Sequence, residues 1–258
     1  MTTPPMPPLP WLNEDDPFPS PLHAWGDDSP APGLLAAGGG LSVARLKDAY
    51  AQATFPWFSQ GQPVLWWCTQ PRMVLATDEF RLHRSMRKTL QRFRRQPACE
   101  IRMDTAFDRV IQACASTPRP GQGGTWILPE VVQAYQDLHR VGLAHSVETW
   151  VGGELVGGLY LVNLGQALFG ESMFAHRTDA SKIALAALIA WARDQGLGWI
   201  DCQQHTSHLA RLGARPIPVE QFLTQVQSAR ERPAPPWHFD PVYWDLLLSS
   251  PSTSCPAD

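Results

Sequence analysis

Residues 168–204, with the sequence LFGESMFAHRTDASKIALAALIAWARDQGLGWIDCQQ, form the stretch that decides the fold. Residues 169–174 predict an apolar strand. Asp179, a residue type that caps helices, precedes a long apolar run that predicts a helix packed on a sheet. Gly196 ends that helix, and Trp199 begins a short buried strand. The stretch is therefore interpreted as strand, loop, helix and strand.

Three polar side chains bracket this helix. Glu171 lies in the middle of the first strand, and Asp201 and Gln203 lie at the end of the second. Two residues separated by one along a strand point to the same side, so Asp201 and Gln203 are expected together. A buried carboxylate is costly unless it has a partner or a use. A satisfied core pair is the alternative interpretation, but three such groups around one helix indicate a site.

Composition limits the class of protein. The chain has 258 residues and a net charge of −3, which allows one large domain or two small ones and does not by itself indicate nucleic acid. The five cysteines form no CxxC pair and have no His at metal spacing, which predicts reduced thiols and no metal site. The Pro-rich N-terminus is not a signal peptide and no apolar run reaches membrane length, so a cytoplasmic protein without membrane contact is expected.

Composition also divides the chain into four parts. They are a Pro-rich arm, a small N-terminal domain, a larger domain and a Pro-rich tail, with boundaries at 1–32, 33–72, 73–230 and 231–258. The larger part predicts a mixed α/β (α+β) fold of antiparallel strands and one long helix. Its order of strand, hairpin, strand, helix and strand resembles the GNAT-like acyltransferase fold of acetyl-CoA-dependent N-acetyltransferases.

Several further elements are expected around the central stretch. A helix is predicted at residues 104–115 and a loop at residues 117–124. Gly152–Gly153 is a hairpin turn signal. The strand candidates on either side of it, and one that follows, span residues 145–151, 154–162 and 166–170.

The segment FRLHRSMRKTLQRFRR, residues 80–95, predicts a cationic helix. It holds seven of the 21 Lys and Arg residues and no acid, while apolar residues at three- and four-residue spacing give it a docking face. Such a concentration of charge favours a polyanion, above all the phosphate backbone of a nucleic acid. A merely solvated surface helix is the alternative interpretation.

The loop before the long helix argues against an enzyme that uses CoA. In the acetyltransferase fold, the pyrophosphate of CoA rests on backbone N–H groups at the start of this helix, which needs a glycine-bearing loop. Residues 176–181 hold no glycine, and Asp179 places negative charge where phosphate would lie. No CoA and no other cofactor is expected, and the cationic helix favours a donor carried on RNA. A CoA-dependent N-acetyltransferase of GNAT type and a non-catalytic tRNA-binding module stay open as alternatives.

A set of motifs carries a resemblance to a known family. The motifs are GGGLSVARLKDAY, FPWFSQGQPVLWWC, GTWILPEVVQAYQDLHRVGLAHSVETW, GELVGGLYLV, FGESMF, DASKIALAAL, IDCQ and HLARLGA. Together, from about Gly33 to Leu223, they resemble the bacterial leucyl/phenylalanyl-tRNA–protein transferases. The combination of FPWF, GTWI, FGESMF and IDCQ is specific to that family. The resemblance implies a small N-terminal domain packed on a GNAT-like domain, without metal or CoA.

The resemblance also implies a reaction. Leu or Phe, and less well Met, passes from aminoacyl-tRNA to the N-terminal Arg or Lys of a protein, which marks that protein for degradation by the N-end rule. The resemblance places Asp201 and Gln203 at the reacting amine, which they are expected to orient and to help deprotonate. Glu171 and Asp201 are expected to supply the carboxylates that compensate the charge of the cationic acceptor. An aminoacyl ester is already activated, so positioning is expected to supply most of the rate.

Binding residues are expected for each part of the donor. Trp57 and Trp126 are expected to stack on the terminal adenosine, worth about 1–3 kcal/mol per base. The cations expected to hold the acceptor stem without reading its sequence are Arg84, Arg87, Lys88 and Arg92. An apolar pocket is expected to receive the amino-acid side chain and to reject β-branched ones. Its candidates, each of which singly also fits an ordinary core position, are Leu159, Phe169, Met173, Leu185, Leu188 and Ile200.

Overall fold

The computed structural model describes residues 8–117 and 126–249. In chain order, the strands β1 to β11 of these ranges are Trp11–Leu12, Leu34–Gly38, Phe55–Pro56, Leu65–Trp67, Arg72–Ala76, Cys99–Met103, Ala144–Val151, Glu154–Leu164, Ala167–Ala175, Trp199–Asp201 and Arg215–Ile217. The helices α1 to α8 are Val43–Ala51, Arg84–Arg95, Phe107–Ser116, Pro129–Arg140, Ala180–Asp194, Ser207–Arg211, Val219–Arg230 and Asp245–Leu248.

A small sheet forms from the N-terminal part of the described chain, in the order β1, β2, β4, β3. The Arg45 guanidinium on α1 fastens the Pro-rich arm beside this sheet. It donates to the backbone oxygens of Asn13, Glu14 and Asp16 at 2.6, 2.5 and 2.6 Å. Only the short strand β1 of this arm joins the sheet, and proline residues lack a backbone N–H, so a side chain supplies the donors that hold the chain after β1.

The larger sheet, within residues 8–117 and 126–249, has seven strands in the order β11, β5, β10, β9, β8, β7, β6. β7, β8 and β9 are antiparallel neighbours, and the predicted turn Gly152–Gly153 joins β7 to β8 with both residues at positive φ. β10 is parallel to β9 and antiparallel to β5. The predicted mixed α/β fold is confirmed. No helix in the described ranges combines the length and the apolar composition that a membrane span needs.

The central helix α5 is buried on all sides. One side packs on the sheet, and the Pro-rich tail covers the other, where Trp191 donates to the Pro236 oxygen at 3.2 Å and its ring lies 4.3 Å from that of Trp237. This explains why α5 is apolar around its whole circumference. The expected capping role of Asp179 is wrong, because this residue takes a left-handed φ of 64° and its carboxylate pairs with Lys182 at 2.8 Å.

Strand β10 ends soon after it pairs with β9. Their parallel register includes Ile200 opposite Leu168 and Asp201 opposite Phe169, after which β10 ends while β9 continues to Ala175. Beyond this point β9 has no strand partner on the side of β10, which leaves a gap between β9 and the chain that follows β10. The candidate site lies in this gap.

A bulge in β9 lies beside the gap. Tyr160 pairs with Ser172 and Leu161 pairs with Gly170, so Glu171 is the extra residue between two ladder positions. A bulge re-aims the side chain of the inserted residue. The carboxyl of Glu171 is thereby turned away from the regular alternation of the strand.

Some boundaries differ from those expected. The cationic helix α2 begins at Arg84 rather than residue 80, since the preceding chain is extended and Arg81 N–H donates to Leu212 O at 2.8 Å. α3 begins at Phe107 rather than residue 104, because Asp104 has a left-handed φ of 57°. The strand candidates at residues 166–170 and 169–174 form one continuous strand, β9. The loop expected at residues 117–124 lies outside the described residues from 118 onward.

Gly157→Ala is expected to destabilise the fold, because β8 and the start of α5 approach closely at this glycine. A Cβ there would lie 2.5 Å from the Ala180 Cβ. Overpacking of this kind costs about 1–3 kcal/mol, which a urea titration would measure as a lower free energy of unfolding. Gly198→Ala is the matched control, since a Cβ at that position meets no atom within 4 Å. Equal unfolding free energies for the two variants would contradict the close approach.

Candidate active site

Glu171 lies half-buried at the bulge of β9 and is held from two helices. The Tyr50 hydroxyl on α1 donates to its Oε1 at 2.6 Å, and the Tyr135 hydroxyl on α4 lies 3.2 Å from its Oε2. The two tyrosine hydroxyls are also hydrogen-bonded to each other. The carboxyl for which the sequence suggested no partner therefore has two, and both come from distant segments of the chain.

The surroundings of Glu171 favour its neutral form. Burial raises the pKa of Glu171 to about 8, although hydrogen bonding to Tyr50 opposes the shift. Burial likewise raises the pKa of Tyr50 and Tyr135 above their ordinary value, so both hydroxyls keep their protons. Near neutral pH, Glu171 therefore carries a proton for most of the time. A cation that approaches would favour the ionised form.

Asp201 is fully buried at the end of β10 and is already paired. Its Oδ1 and Oδ2 accept from Nε and Nη2 of Arg72 at 2.8 and 2.6 Å. The central guanidinium carbon of Arg72 lies 4.8 and 4.9 Å from the ring centres of Phe55 and Phe222. The expectation that Asp201 offers a free carboxylate to a cationic acceptor is wrong, because the bidentate guanidinium neutralises it.

Gln203 lies beyond β10 and not on the strand. β10 ends at Asp201, and Gln203 takes a left-handed φ of 52°. Its backbone N–H donates to Asp201 Oδ1 at 2.9 Å, while its side-chain Nε2 donates to Gly170 O at 2.7 Å and lies 3.5 Å from Glu171 Oε1. The three polar residues do lie together, but a turn brings Gln203 there and strand alternation does not.

An apolar cavity of about 410 Å³ opens beside Gln203, between α5 and the sheet. Its apolar walls are formed by Leu75, Leu159, Met173, Leu185, Leu188, Ile200 and Leu209. Five of these residues are the ones expected around an aminoacyl side chain, and the structure brings them together. Leu75 of β5 was missed, because β5 is distant in sequence and only the sheet order brings it beside β10.

Phe169 does not line the apolar cavity, so its assignment to that pocket is wrong. Its ring lies 5.1 Å from Tyr50 and 6.5 Å from Phe222, both on the opposite face of the sheet. Successive side chains of a strand point to opposite faces. Because Leu168 belongs to the face of α5, Phe169 belongs to the other.

A second cavity of about 280 Å³, here called the aromatic cavity, lies beyond Glu171 and Gln203. Trp57 and Trp126 both line it, and the Trp57 side chain is 40% exposed. The residues that line both cavities are Glu171, Cys202, Gln203, Thr206 and Leu209. The polar groups of the site therefore form a wall that is shared by the apolar cavity and the aromatic cavity.

The cationic helix α2 docks through Leu90 and Phe93, which are buried, as its apolar spacing predicted. The Pro-rich tail engages two of its cations. Arg87 is half-buried and donates to Leu248 O at 2.7 Å, and Arg94 forms an ion pair with Asp245 at 2.5 Å. The exposed cations that were expected to bind RNA are Arg84, Lys88 and Arg92. Arg87 thus has a partner within the chain, in contrast to the expectation.

Little in the local sequence pattern indicated which residues hold the site. Tyr50 and Tyr135 belong to amphipathic helices in which an aromatic residue signals only core. Arg72 opens a buried strand, which is an unusual position for a cation and is the one local signal that was available. Among residues 8–117 and 126–249, no group of three or more His, Cys, Asp or Glu side chains is arranged to hold a metal ion.

Comparison with known proteins gives consistent matches over most of the chain. A family model described as leucyl/phenylalanyl-tRNA protein transferase matches residues 74–227, and one described as its N-terminal domain matches residues 39–70. The leucyl/phenylalanyl-tRNA–protein transferase of Polaromonas sp. strain JS666 is 57% identical over 96% of this chain and 98% of that protein. The one of Leptothrix cholodnii is 60% identical over 93% of this chain and 95% of that protein. A solved structure of a functionally unknown conserved protein from Staphylococcus epidermidis has a TM-score of 0.37 and 12% identity over 57% of each chain, which is too weak a likeness to bear on the site.

Glu171→Gln is expected to change how stability depends on pH. The folded chain holds the Glu171 proton up to about pH 8, whereas an ordinary glutamate releases it near 4.5. Between these values the folded state binds more protons than the unfolded state, so this group's contribution to stability falls as pH rises. Gln cannot titrate. The unfolding free energy of the variant relative to the wild type should therefore rise from about pH 5 to about pH 8, by at most about 1.4 kcal/mol per pH unit. Parallel curves in denaturant titrations would contradict the raised pKa.

Proposed function

Since the chain belongs to the family of leucyl/phenylalanyl-tRNA protein transferases, we propose that it passes Leu or Phe, and less well Met, to the N-terminal Arg or Lys of acceptor proteins. Membership of the family makes the chain an aminoacyltransferase that acts between aminoacyl-tRNA and proteins. The added residue marks the acceptor for degradation by the N-end rule. The reaction belongs to the cytoplasm, where aminoacyl-tRNA is made.

The observation that carries the proposal is the wall shared by the two cavities. The apolar cavity suits the side chain of Leu or Phe, and the aromatic cavity suits a base that stacks on Trp57 and Trp126. In an aminoacyl-tRNA, the ester carbonyl joins the amino acid to the terminal ribose. A donor that fills both cavities holds that carbonyl at the wall, beside Gln203 and Glu171.

The chemical step needs little acid–base help. The amine nitrogen of the acceptor attacks the ester carbonyl, an amide bond forms, and the ester C–O bond breaks. The ribose hydroxyl leaves with the proton that the amine gives up, so no external oxidant, metal or cofactor is required. Because the ester is already activated, correct placement of the two reactants supplies most of the rate.

The polar wall suits a cationic acceptor. Glu171 is mainly protonated near neutral pH, and a cation beside it stabilises the carboxylate, so acceptor binding releases the Glu171 proton. Asp201 keeps its partner Arg72 and acts through the backbone of Gln203. Gln203 orients the amine. This division assigns charge compensation to Glu171 alone, whereas the sequence had assigned it to both acids.

The scaffold is proposed to be GNAT-like over residues 73–230, with 33–72 as a small N-terminal domain and 1–32 and 231–258 as an arm and a tail. What supports a GNAT-like scaffold is the pair of parallel strands β9 and β10, whose pairing ends where the site lies, together with the central helix α5 that connects them. The loop before α5 has no glycine whose backbone N–H could bind a CoA phosphate. Asp179 lies where that phosphate would bind, and it is paired with Lys182.

A transfer assay tests the proposed function. Purified protein is mixed with tRNA charged with labelled Leu or Phe and with a peptide that begins with Arg or Lys. We expect label at the peptide N-terminus, less with Met, and none with Val or Ile, because branching at Cβ does not fit a recess for unbranched side chains. Peptides that begin with Ala or Glu are the acceptor control, and acetyl-CoA is the donor control. Acetylation of the peptide, or transfer to every acceptor alike, would contradict the proposal.

The exposed cations of α2 are expected to hold the acceptor stem of the tRNA. Replacing Arg84, Lys88 and Arg92 by Ala should weaken tRNA binding and reduce the slope of log affinity against log salt by up to about 0.9 per lost phosphate contact. Filter binding at several salt concentrations measures both. The matched control replaces Arg140, Arg177 and Arg215 by Ala. These three cations lie outside α2 and have acidic partners, so the control removes the same amount of charge. An equal loss of tRNA affinity in both triple variants would indicate that net charge, and not the surface of α2, determines tRNA binding.

A further inference from the structure

The conformation of Gln203 is one that the residue does not favour by itself. Its φ of 52° lies in the left-handed region, which residues with a Cβ adopt at a cost unless the surroundings enforce it. Such strain persists where several contacts determine the same geometry. The contacts that hold Gln203 therefore show which residues set its position.

The backbone of Gln203 is held from several directions. Its N–H donates to Asp201 Oδ1 at 2.9 Å. Its carbonyl oxygen accepts from Thr69 Oγ1 at 2.7 Å and from Met73 N–H at 3.3 Å. Thr69 and Met73 belong to the segment that leads from the small sheet into the larger one. A segment far away in sequence thus fixes the residue at the wall between the two cavities.

The side chain of Gln203 is oriented by the same arrangement. Its amide group lies 2.7 Å from the carbonyl oxygen of Gly170, which can only accept, so the amide nitrogen faces Gly170. The amide oxygen then faces the other way. Because Gln203 lines both cavities, that oxygen is the acceptor left for an N–H of the attacking amine.

Asp201 can position Gln203 only because Arg72 holds it. Both side chains are fully buried, and the two parallel hydrogen bonds of 2.8 and 2.6 Å fix the carboxylate plane. A buried ion pair is weak evidence for stability, because well-packed apolar residues often replace such a pair at no loss. The pair is better explained by the geometry that it imposes on the Gln203 N–H.

We infer that Arg72 and Thr69 are positioning residues for the transfer reaction, holding the backbone of Gln203 so that its side-chain oxygen meets the attacking amine. Arg72 acts through Asp201, and Thr69 acts directly on the Gln203 carbonyl. Neither needs to touch a substrate. The inference rests on the proposed function, in which Gln203 lies at the reacting amine.

Thr69 offers a clean test, because Val has nearly the same shape and lacks the hydroxyl. Thr69→Val should lower kcat of the labelled-Leu transfer roughly three- to tenfold, the effect of one hydrogen bond. KM for aminoacyl-tRNA should stay within about twofold, because both cavities are intact. Thr69→Ser keeps the hydroxyl and should restore most of kcat. A structural role alone would lower the unfolding midpoint without this separation of kcat from KM.

The buried pair is tested with two neutral double variants. Arg72→Gln with Asp201→Asn keeps an oxygen that can accept from Gln203 N–H, whereas Arg72→Met with Asp201→Leu keeps none. If the pair positions Gln203, kcat of the apolar double variant (Arg72→Met with Asp201→Leu) should fall on the order of 100-fold, as it does when reactive groups are misplaced. The kcat of the amide double variant (Arg72→Gln with Asp201→Asn) should fall much less. Circular dichroism and thermal unfolding establish that both variants fold. Should the apolar double not fold, the Thr69 variants decide alone.

The outcomes separate the inference from the function on which it rests. Transfer by the wild type, with kcat unchanged in Thr69→Val and in a folded apolar double, overturns the positioning role and leaves the function intact. A wild type that transfers nothing to peptides beginning with Arg or Lys overturns the proposed function, and the positioning role with it. Loss of kcat in Thr69→Val with recovery in Thr69→Ser supports both.

Discussion

The ion pair between Arg72 and Asp201 is the interaction on which the site depends. Arg72 begins β5 and Asp201 ends β10, so the pair joins two neighbouring strands at the point where the pairing of β10 with β9 ends. Each charge would be costly in the core without the other. The Oδ1 of Asp201 also accepts from the backbone N–H of Gln203, and this hydrogen bond turns Gln203 toward the gap. The position of Gln203 thus depends on this buried pair, together with the contacts from Thr69 and Met73 to its carbonyl oxygen.

The two acids of the site show how surroundings divide roles between similar groups. Asp201 has a guanidinium as its partner, whereas Glu171 has uncharged partners and a raised pKa. A neutral carboxyl can lie between an apolar and an aromatic cavity at little cost, and it becomes charged when a cation arrives. Under the proposed function, such a site accepts a positively charged chain end without holding a permanent charge in a half-buried wall.

The Pro-rich segments, which the sequence left without a role, complete the fold. The arm is held by the guanidinium of Arg45, and the tail lies over α5 and ties down Arg87 and Arg94 of the cationic helix. Without the tail, α5 would expose an apolar face, and this explains why the helix shows no polar stripe. The cations that stay exposed on α2 are therefore fewer than the sequence suggested.

Local pattern alone determined the element types, the mixed α/β class, the position of the central helix and the polar residues at the strand ends, because hydrophobic periodicity and turn residues act over a few positions. The family motifs likewise lie in short segments. Only the tertiary structure decided the partners of the acids, since Tyr50 lies 121 residues from Glu171 and Arg72 lies 129 residues from Asp201. It also decided that Phe169 faces away from the cavity, because which face of a strand meets which helix depends on packing between distant segments and not on periodicity.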